Sequence, residues 1–186
     1  MCLPSTIFNL KEVNCLQLSG CSKIVNLLEN LGNMESLSVL YLCVKAVKEL
    51  PSSSVHLQNV MGMCFSERQW PSSSFDSLPT SQDPVVALLR LSSCMPIKDL
   101  DLRDCYLSAI PNDIGCLSLL NALRLSGNDF VSLPEGISQL FRLRLLDLDG
   151  CKRLQSLPNL LSKVNCICVN NCTSLERLPK SQNDSF

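Results

Sequence analysis

Aliphatic residues recur along this chain in one short phrase: two of them separated by a single variable residue, with a cysteine or asparagine three positions later. The clearest copies are Leu100-Asp101-Leu102 before Cys105, Leu123-Arg124-Leu125 before Asn128, Leu146-Asp147-Leu148 before Cys151, and Ile167-Cys168-Val169 before Cys172. Upstream stand Leu16-Gln17-Leu18 before Cys21, then Leu40-Tyr41-Leu42, and a weaker copy, Met63-Cys64-Phe65. The phrase starts at positions 16, 40, 63, 100, 123, 146 and 167, at intervals of 24, 23, 37, 23, 23 and 21. Lys45 and Arg68 replace the cysteine or asparagine in the second and third copies.

Side chains on a strand alternate with period two, so the two aliphatic residues of each phrase share one side and the residue between them takes the other. A single copy cannot bury its aliphatic side; stacking of neighbouring copies supplies the core. Five of the six intervals lie in the range of about 20–29 residues that marks leucine-rich repeats. The expected fold is therefore a leucine-rich-repeat solenoid, a curved horseshoe of the α/β repeat class with about seven repeats across residues 1–186. Short strands form a parallel sheet on the concave face, and loops or single 3-10 turns line the convex face. The long interval predicts a surface-loop insertion near residues 66–95, where Trp70-Pro71, Ser72-Ser73-Ser74, Leu78-Pro79 and Asp83-Pro84 interrupt regular structure.

The second half of the repeat has its own mark. Leu50-Pro51, Ile110-Pro111, Leu133-Pro134, Leu157-Pro158 and Leu178-Pro179 recur in phase. Proline ends the extended segment because it has no N–H to donate. After two of them, Ile114 with Leu117 and Ile137 with Leu140 place apolar residues three apart, which suits one 3-10 turn. Gly115 and Gly136 are expected to keep those turns short. Cys21, Cys105, Asn128, Cys151 and Cys172 form an expected structural ladder where the chain turns inward. Asparagine can satisfy open backbone groups there, and a thiol is a small hydrophobe that fits the same slot.

Composition narrows the function. Charged residues are 18%, hydrophobic residues 46%, aromatic residues 5%, and the formal net charge is −1. Such a chain is not a disordered tail. It has neither the basic stripe nor the aromatic platforms of a nucleic-acid binder. No apolar run is long enough to span a bilayer, and residues 1–14 do not read as a signal peptide. Twelve cysteines, several in phase with the repeat, read as reduced thiols of the cytoplasm or nucleus rather than as a secreted disulfide framework.

The stretch from Leu125 through Asn128, Leu133-Pro134 and Leu140 resembles the repeats of plant intracellular immune receptors, as does Leu148 through Cys151 to Leu157-Pro158. The run Asn171-Cys172-Thr173-Ser174-Leu175-Glu176-Arg177-Leu178-Pro179 is similar to the last repeats of the TIR-NBS-LRR group, the TMV resistance protein N-like receptors. The resemblance covers roughly residues 10–180. It implies recognition of a pathogen effector or an altered host protein, together with autoinhibitory contacts to the receptor's nucleotide-binding domain. The 186 residues contain no G-x-x-x-x-G-K-[ST] phosphate loop and no TIR or nucleotide-binding domain. Nucleotide chemistry is therefore not carried over, and the sequence reads as a fragment or truncated receptor.

The expected binding surface is the outward row of the sheet: Gln17, Tyr41, Cys64, Asp101, Arg124, Asp147 and Cys168. A second row follows at Ser19, Cys43, Ser66, Arg103, Ser126, Asp149 and Asn170. Asp101, Arg103, Arg124, Asp147 and Asp149 suggest a mixed-charge patch. It is open to two readings, a recognition surface or a solvated face of weak ion pairs. No catalytic residue, cofactor or metal is called. His56 stands without a completing constellation. Cys166, Cys168 and Cys172 lack the paired spacing of a zinc site, and Cys151 with Cys172, on adjacent coils, are expected to stay reduced. Asn171-Cys172-Thr173 and Asn183-Asp184-Ser185 match the glycosylation pattern but read as chance matches. The expected partner is protein, with neither nucleic acid nor membrane. The alternatives are a secreted or membrane-receptor ectodomain, a general scaffold, and a substrate-selecting enzyme subunit.

Overall fold

The computed structural model describes residues 7, 9–18, 33–41, 59–64, 96–158 and 164–176. It contains seven three-residue strands: β1 Cys15–Gln17, β2 Val39–Tyr41, β3 Gly62–Cys64, β4 Asp99–Asp101, β5 Ala122–Arg124, β6 Leu145–Asp147 and β7 Cys166–Cys168. They pair in chain order, each parallel to the next, in one sheet. Leu16, Leu40, Met63, Leu100, Leu123, Leu146 and Ile167 are successive Cα partners. The positions that opened each aliphatic phrase thus form one continuous row across the sheet.

That row points inward. Leu40, Leu100, Leu123 and Leu146 are fully buried, with Leu16 and Met63 nearly so. The second aliphatic position does the same at Leu18, Leu102, Leu125 and Leu148. Pairing also continues past the strands where the following residues are described: Leu102 N–H donates to Arg124 O, and Asp104 N–H to Ser126 O. On the next coil, Leu125 donates to Asp147 O and Gly127 to Asp149 O. These coils thereby bond their strand backbones to their neighbours, leaving no free strand edge between them.

Opposite the sheet, two 3-10 turns form where the proline phrase predicted them: η1, Asn112–Cys116, and η2, Glu135–Gln139. Pro111 and Pro134 precede them in extended conformation, and Ile114, Leu117, Ile137 and Leu140 close the core from that side. The glycines of these turns have a further role. They do not merely shorten the turns; they let adjacent coils touch. A Cβ on Gly136 would overlap the Asn112 carbonyl oxygen, and one on Gly115 would lie 2.7 Å from Gly136 O. The Gly136 N–H donates to Asn112 Oδ1 at 2.7 Å across that contact.

A left-handed residue precedes each ladder position among the described residues. Asp104, Gly127, Gly150 and Asn171 have φ of 54°, 70°, 70° and 60°. These are residue types that tolerate positive φ at least cost, and they swing the chain from the sheet into the core. At Gly127 the neighbouring Asp104 side chain also occupies the space a Cβ would need. The predicted insertion near 66–95, Ser19, Cys21, Cys43, Ser66, His56, Leu50-Pro51 and Leu178-Pro179 lie outside the described residues. β3 and β4 on either side of the insertion nevertheless pair in the same register as the rest.

Candidate functional site

Outward side chains of the sheet come from the strand positions flanking each buried marker. The middle row is Gln17, Tyr41, Cys64, Asp101, Arg124, Asp147 and Cys168, aligned by the strand pairing. Gln17 is exposed, and Tyr41, Arg124 and Asp147 are half-buried. Beyond it lie Arg103, Ser126 and Asp149, half-buried, and Asn170, exposed. Asp101 departs from expectation: it is only 9% exposed. Arg103 lies over it, with Nη2 at 2.6 Å and Nε at 2.9 and 3.0 Å from the carboxylate, and its backbone N–H also donates to Asp101 Oδ1.

Burial pushes the Asp101 carboxyl up, but hydrogen bonds from the Arg103 side chain and backbone, its charge, and a thiol hydrogen bond from Cys64 outweigh that and hold it below the usual range. The Asp101 carboxylate in turn raises the Arg103 guanidinium, against the opposing effect of burial. The pair is a clamp across the turn following β4. Its charges are spent on each other.

The mixed-charge patch therefore resolves into separate parts. Arg124 pairs with Asp99 on β4 at 3.0 Å. Asp149 accepts from Asn170 N and Nδ2 at 2.7 and 3.1 Å, and Asp147 Oδ1 accepts from Asp149 N. No cation pairs with Asp147 or Asp149 among the described residues' ion pairs. The face thus turns from charge-neutral at β4–β5 to negative at β6.

One outward row was missed in reading the sequence. Cys15, Val39, Gly62, Asp99, Ala122, Leu145 and Cys166 precede the buried markers and form the first row of the same face. The period-two rule that placed the middle row also reaches this one. It supplies Asp99, the partner of Arg124, and Cys166, whose sulfur lies 3.8 Å from that of Cys168.

The ladder residues act behind the face. Asn128 is 1% exposed; its Nδ2 donates to Leu102 O and Leu125 O at 2.8 and 2.7 Å, and its Oδ1 accepts from Leu107 N at 3.0 Å. Cys151 Sγ donates to Leu125 O at 3.2 Å and Cys172 Sγ to Leu148 O at 3.1 Å. Burial pushes the Cys151 thiol up to about 11, and raises Cys172 as well. Cys105 is buried, with Sγ 3.5 Å from Arg103 O.

Residues 22–184 match the family described as Disease resistance protein RPS4B-like, leucine-rich repeats. The chain belongs to this family. It is 35% identical over 178 residues to the disease resistance-like protein DSC1 of Arabidopsis thaliana, covering 95% of this chain and 14% of that protein. TMV resistance protein N of Nicotiana glutinosa is 34% identical over 168 residues, covering 90% of this chain and 14% of its own length. The chain thus spans about a seventh of these relatives. Its fold is shared more widely. A leucine-rich-repeat protein of Leptospira interrogans superposes with a TM-score of 0.62 at 23% identity, over 87% of this chain and 37% of that one. The leucine-rich-repeat domain of the type III effector XopL does so at 0.61 and 19%, over 93% and 57%. The motif resemblance to N-like receptors is therefore confirmed at the level of family. No helix among the described residues is long and apolar enough to cross a membrane.

Proposed function

We propose that this RPS4B-like repeat region is a non-catalytic protein-binding module of a plant intracellular immune receptor. It engages a pathogen effector, a host target or the receptor's own nucleotide-binding domain through the outer face of its sheet. One observation carries the reading. The inward positions are aliphatic in coil after coil, whereas the outward positions change chemistry from Gln17 and Tyr41 to Arg124, Asp147, Asp149 and Asn170. A scaffold that repeats its interior and varies its exterior presents a different side chain every ~4.8 Å along the sheet. Complementary charge on such a surface gives partner selectivity. Residues 1–186 act in this reading as a single solenoid of about seven repeats within a longer receptor that works in the cytoplasm or nucleus.

The test is proximity labelling in plant tissue, with and without pathogen challenge. It compares the wild-type chain with an outer-face variant, Asp147→Lys with Asp149→Lys, and a convex-side variant, Glu135→Lys. Partners enriched by the wild type and by Glu135→Lys, but lost with the outer-face variant, support the proposal. Retention of the same partners by all three overturns it.

A further inference from the structure

Two thiols stand side by side where the outer face meets β7. Cys166 and Cys168 are two residues apart on one strand, so alternation puts both side chains on the same side. Their sulfurs are 3.8 Å apart; Cys166 is exposed and Cys168 half-buried. Packing does not account for them, since Ile167 and Val169 supply the inward contacts of this coil. They are not ladder residues either, because Cys172 fills that slot and donates to Leu148 O.

Two carboxylates flank the pair. Asp147 is the register partner of Cys168 on β6, and Asp149 follows it. Losing both protons beside two carboxylates is unfavourable, so only a cation with a strong preference for thiolate sulfur can displace them. The nearby Arg144 guanidinium donates to Asn165 Oδ1 at 3.1 Å.

We propose that Cys166 and Cys168 form a two-sulfur site for one soft monovalent cation of the copper(I) type. Thiolates select copper(I) and zinc over hard cations. Zinc takes four ligands, and no group of three or more His, Cys, Asp or Glu among the described residues could hold a metal. Copper(I) is satisfied by two sulfurs in a near-linear arrangement, and both side chains lie on an open face where they can spread to reach it. In the binding step two S–H bonds break, two S–Cu bonds form and two protons leave to solvent. The ion remains monovalent and the sulfurs are not oxidised. The bound pair carries one negative charge, where the protonated pair carried none.

The experiment titrates the full chain, reduced and metal-free under anaerobic conditions, with copper(I) against a chromogenic copper(I) chelator. Cys166→Ser, Cys168→Ser and Cys116→Ser, an exposed thiol on η1, are compared with the wild type. Thermal melts confirm that each variant is folded; all three positions are outside the core. The expected result is that Cys166→Ser and Cys168→Ser each lose one equivalent of the most tightly held copper, while Cys116→Ser loses none. Unchanged stoichiometry and affinity in both β7 variants, or an equal loss in Cys116→Ser, overturns the proposal.

Discussion

Asn128 and Cys151 perform the same act one coil apart. Asn128 Nδ2 donates to Leu102 O of the coil before it at 2.8 Å, and Cys151 Sγ donates to Leu125 O of the coil before it at 3.2 Å. Cys172 repeats the bond to Leu148 O. Cys151 and Cys172 thus reproduce the bond from Asn128 to a carbonyl of the preceding coil, whereas Cys105 bonds Arg103 O of its own coil. Asparagine adds two more: its Nδ2 donates to its own coil's Leu125 O, and its Oδ1 accepts from Leu107 N of the preceding coil.

Asn128→Ala is expected to cost about 3 kcal/mol, because it takes away the side-chain partner of the buried Leu107 N–H and Leu102 carbonyl, while Leu125 O keeps its bond from Cys151. Asn128→Cys keeps the tie to Leu102 O and is expected to cost about half as much. Chemical denaturation of the two variants checks the order; equal losses would show that the inter-coil bond is not what the ladder contributes.

Gly127→Ala and Gly150→Ala separate backbone conformation from crowding. Both residues have φ of 70°, and a left-handed alanine costs about 1–2 kcal/mol. At Gly150 an added Cβ meets nothing closer than 3.8 Å, whereas at Gly127 it collides with the Asp104 carboxylate. Gly127→Ala is therefore expected to be the more destabilising. Measured against Asp104→Ala alone, which itself places an alanine at a φ of 54°, the excess cost of Gly127→Ala is expected to disappear.

Acid is expected to weaken the Asp101–Arg103 clamp. The folded pKa of Asp101 lies below its unfolded value near 3.8, so between the two the unfolded chain holds more protons. The clamp's contribution is complete above the unfolded value and is lost as pH falls through the folded one. Solvent reaches Arg103, so the contribution is about 1 kcal/mol. Melts of the wild type and Asp101→Asn should differ at pH 7 and converge toward pH 2. A gap that persists in acid would assign Asp101 a role other than charge.

Cys151 reverses that sign. Its folded pKa, pushed up to about 11, lies above the unfolded value of about 8.5. Stability from this thiol is intact below the unfolded value and falls as pH rises toward about 11. Native-state alkylation followed by peptide mapping is expected to label exposed Cys15, Cys116 and Cys166 while sparing Cys151 until the chain unfolds. Labelling of Cys151 at the rate of Cys116 would mean that the coils open locally around it.

Much of the architecture could be read from spacing. The row Leu16–Leu40–Met63–Leu100–Leu123–Leu146–Ile167 emerged in register, even across the 37-residue interval, because one aliphatic phrase has only one way to face a shared core. The turns η1 and η2 followed from Ile-x-x-Leu after proline. Less of the candidate site could be read. Alternation placed Asp101 and Arg124 on the outer face, but it carries no information about which charge meets which. Arg103 folding back over Asp101, and Arg124 reaching Asp99 rather than Asp101 or Asp147, depend on side-chain reach and on the left-handed bend at Asp104.

Periodicity alone decided the inward rows, the order of the strands and the ladder slot, because burial of aliphatic surface answers to position along the chain and little else. The three-dimensional arrangement decided which carboxylates remain without a cation, why Gly115 and Gly136 tolerate no side chain, and that the Cys166 and Cys168 sulfurs come within 3.8 Å. Those are matters of distance between side chains on neighbouring positions and coils, which a linear spacing of residues does not encode.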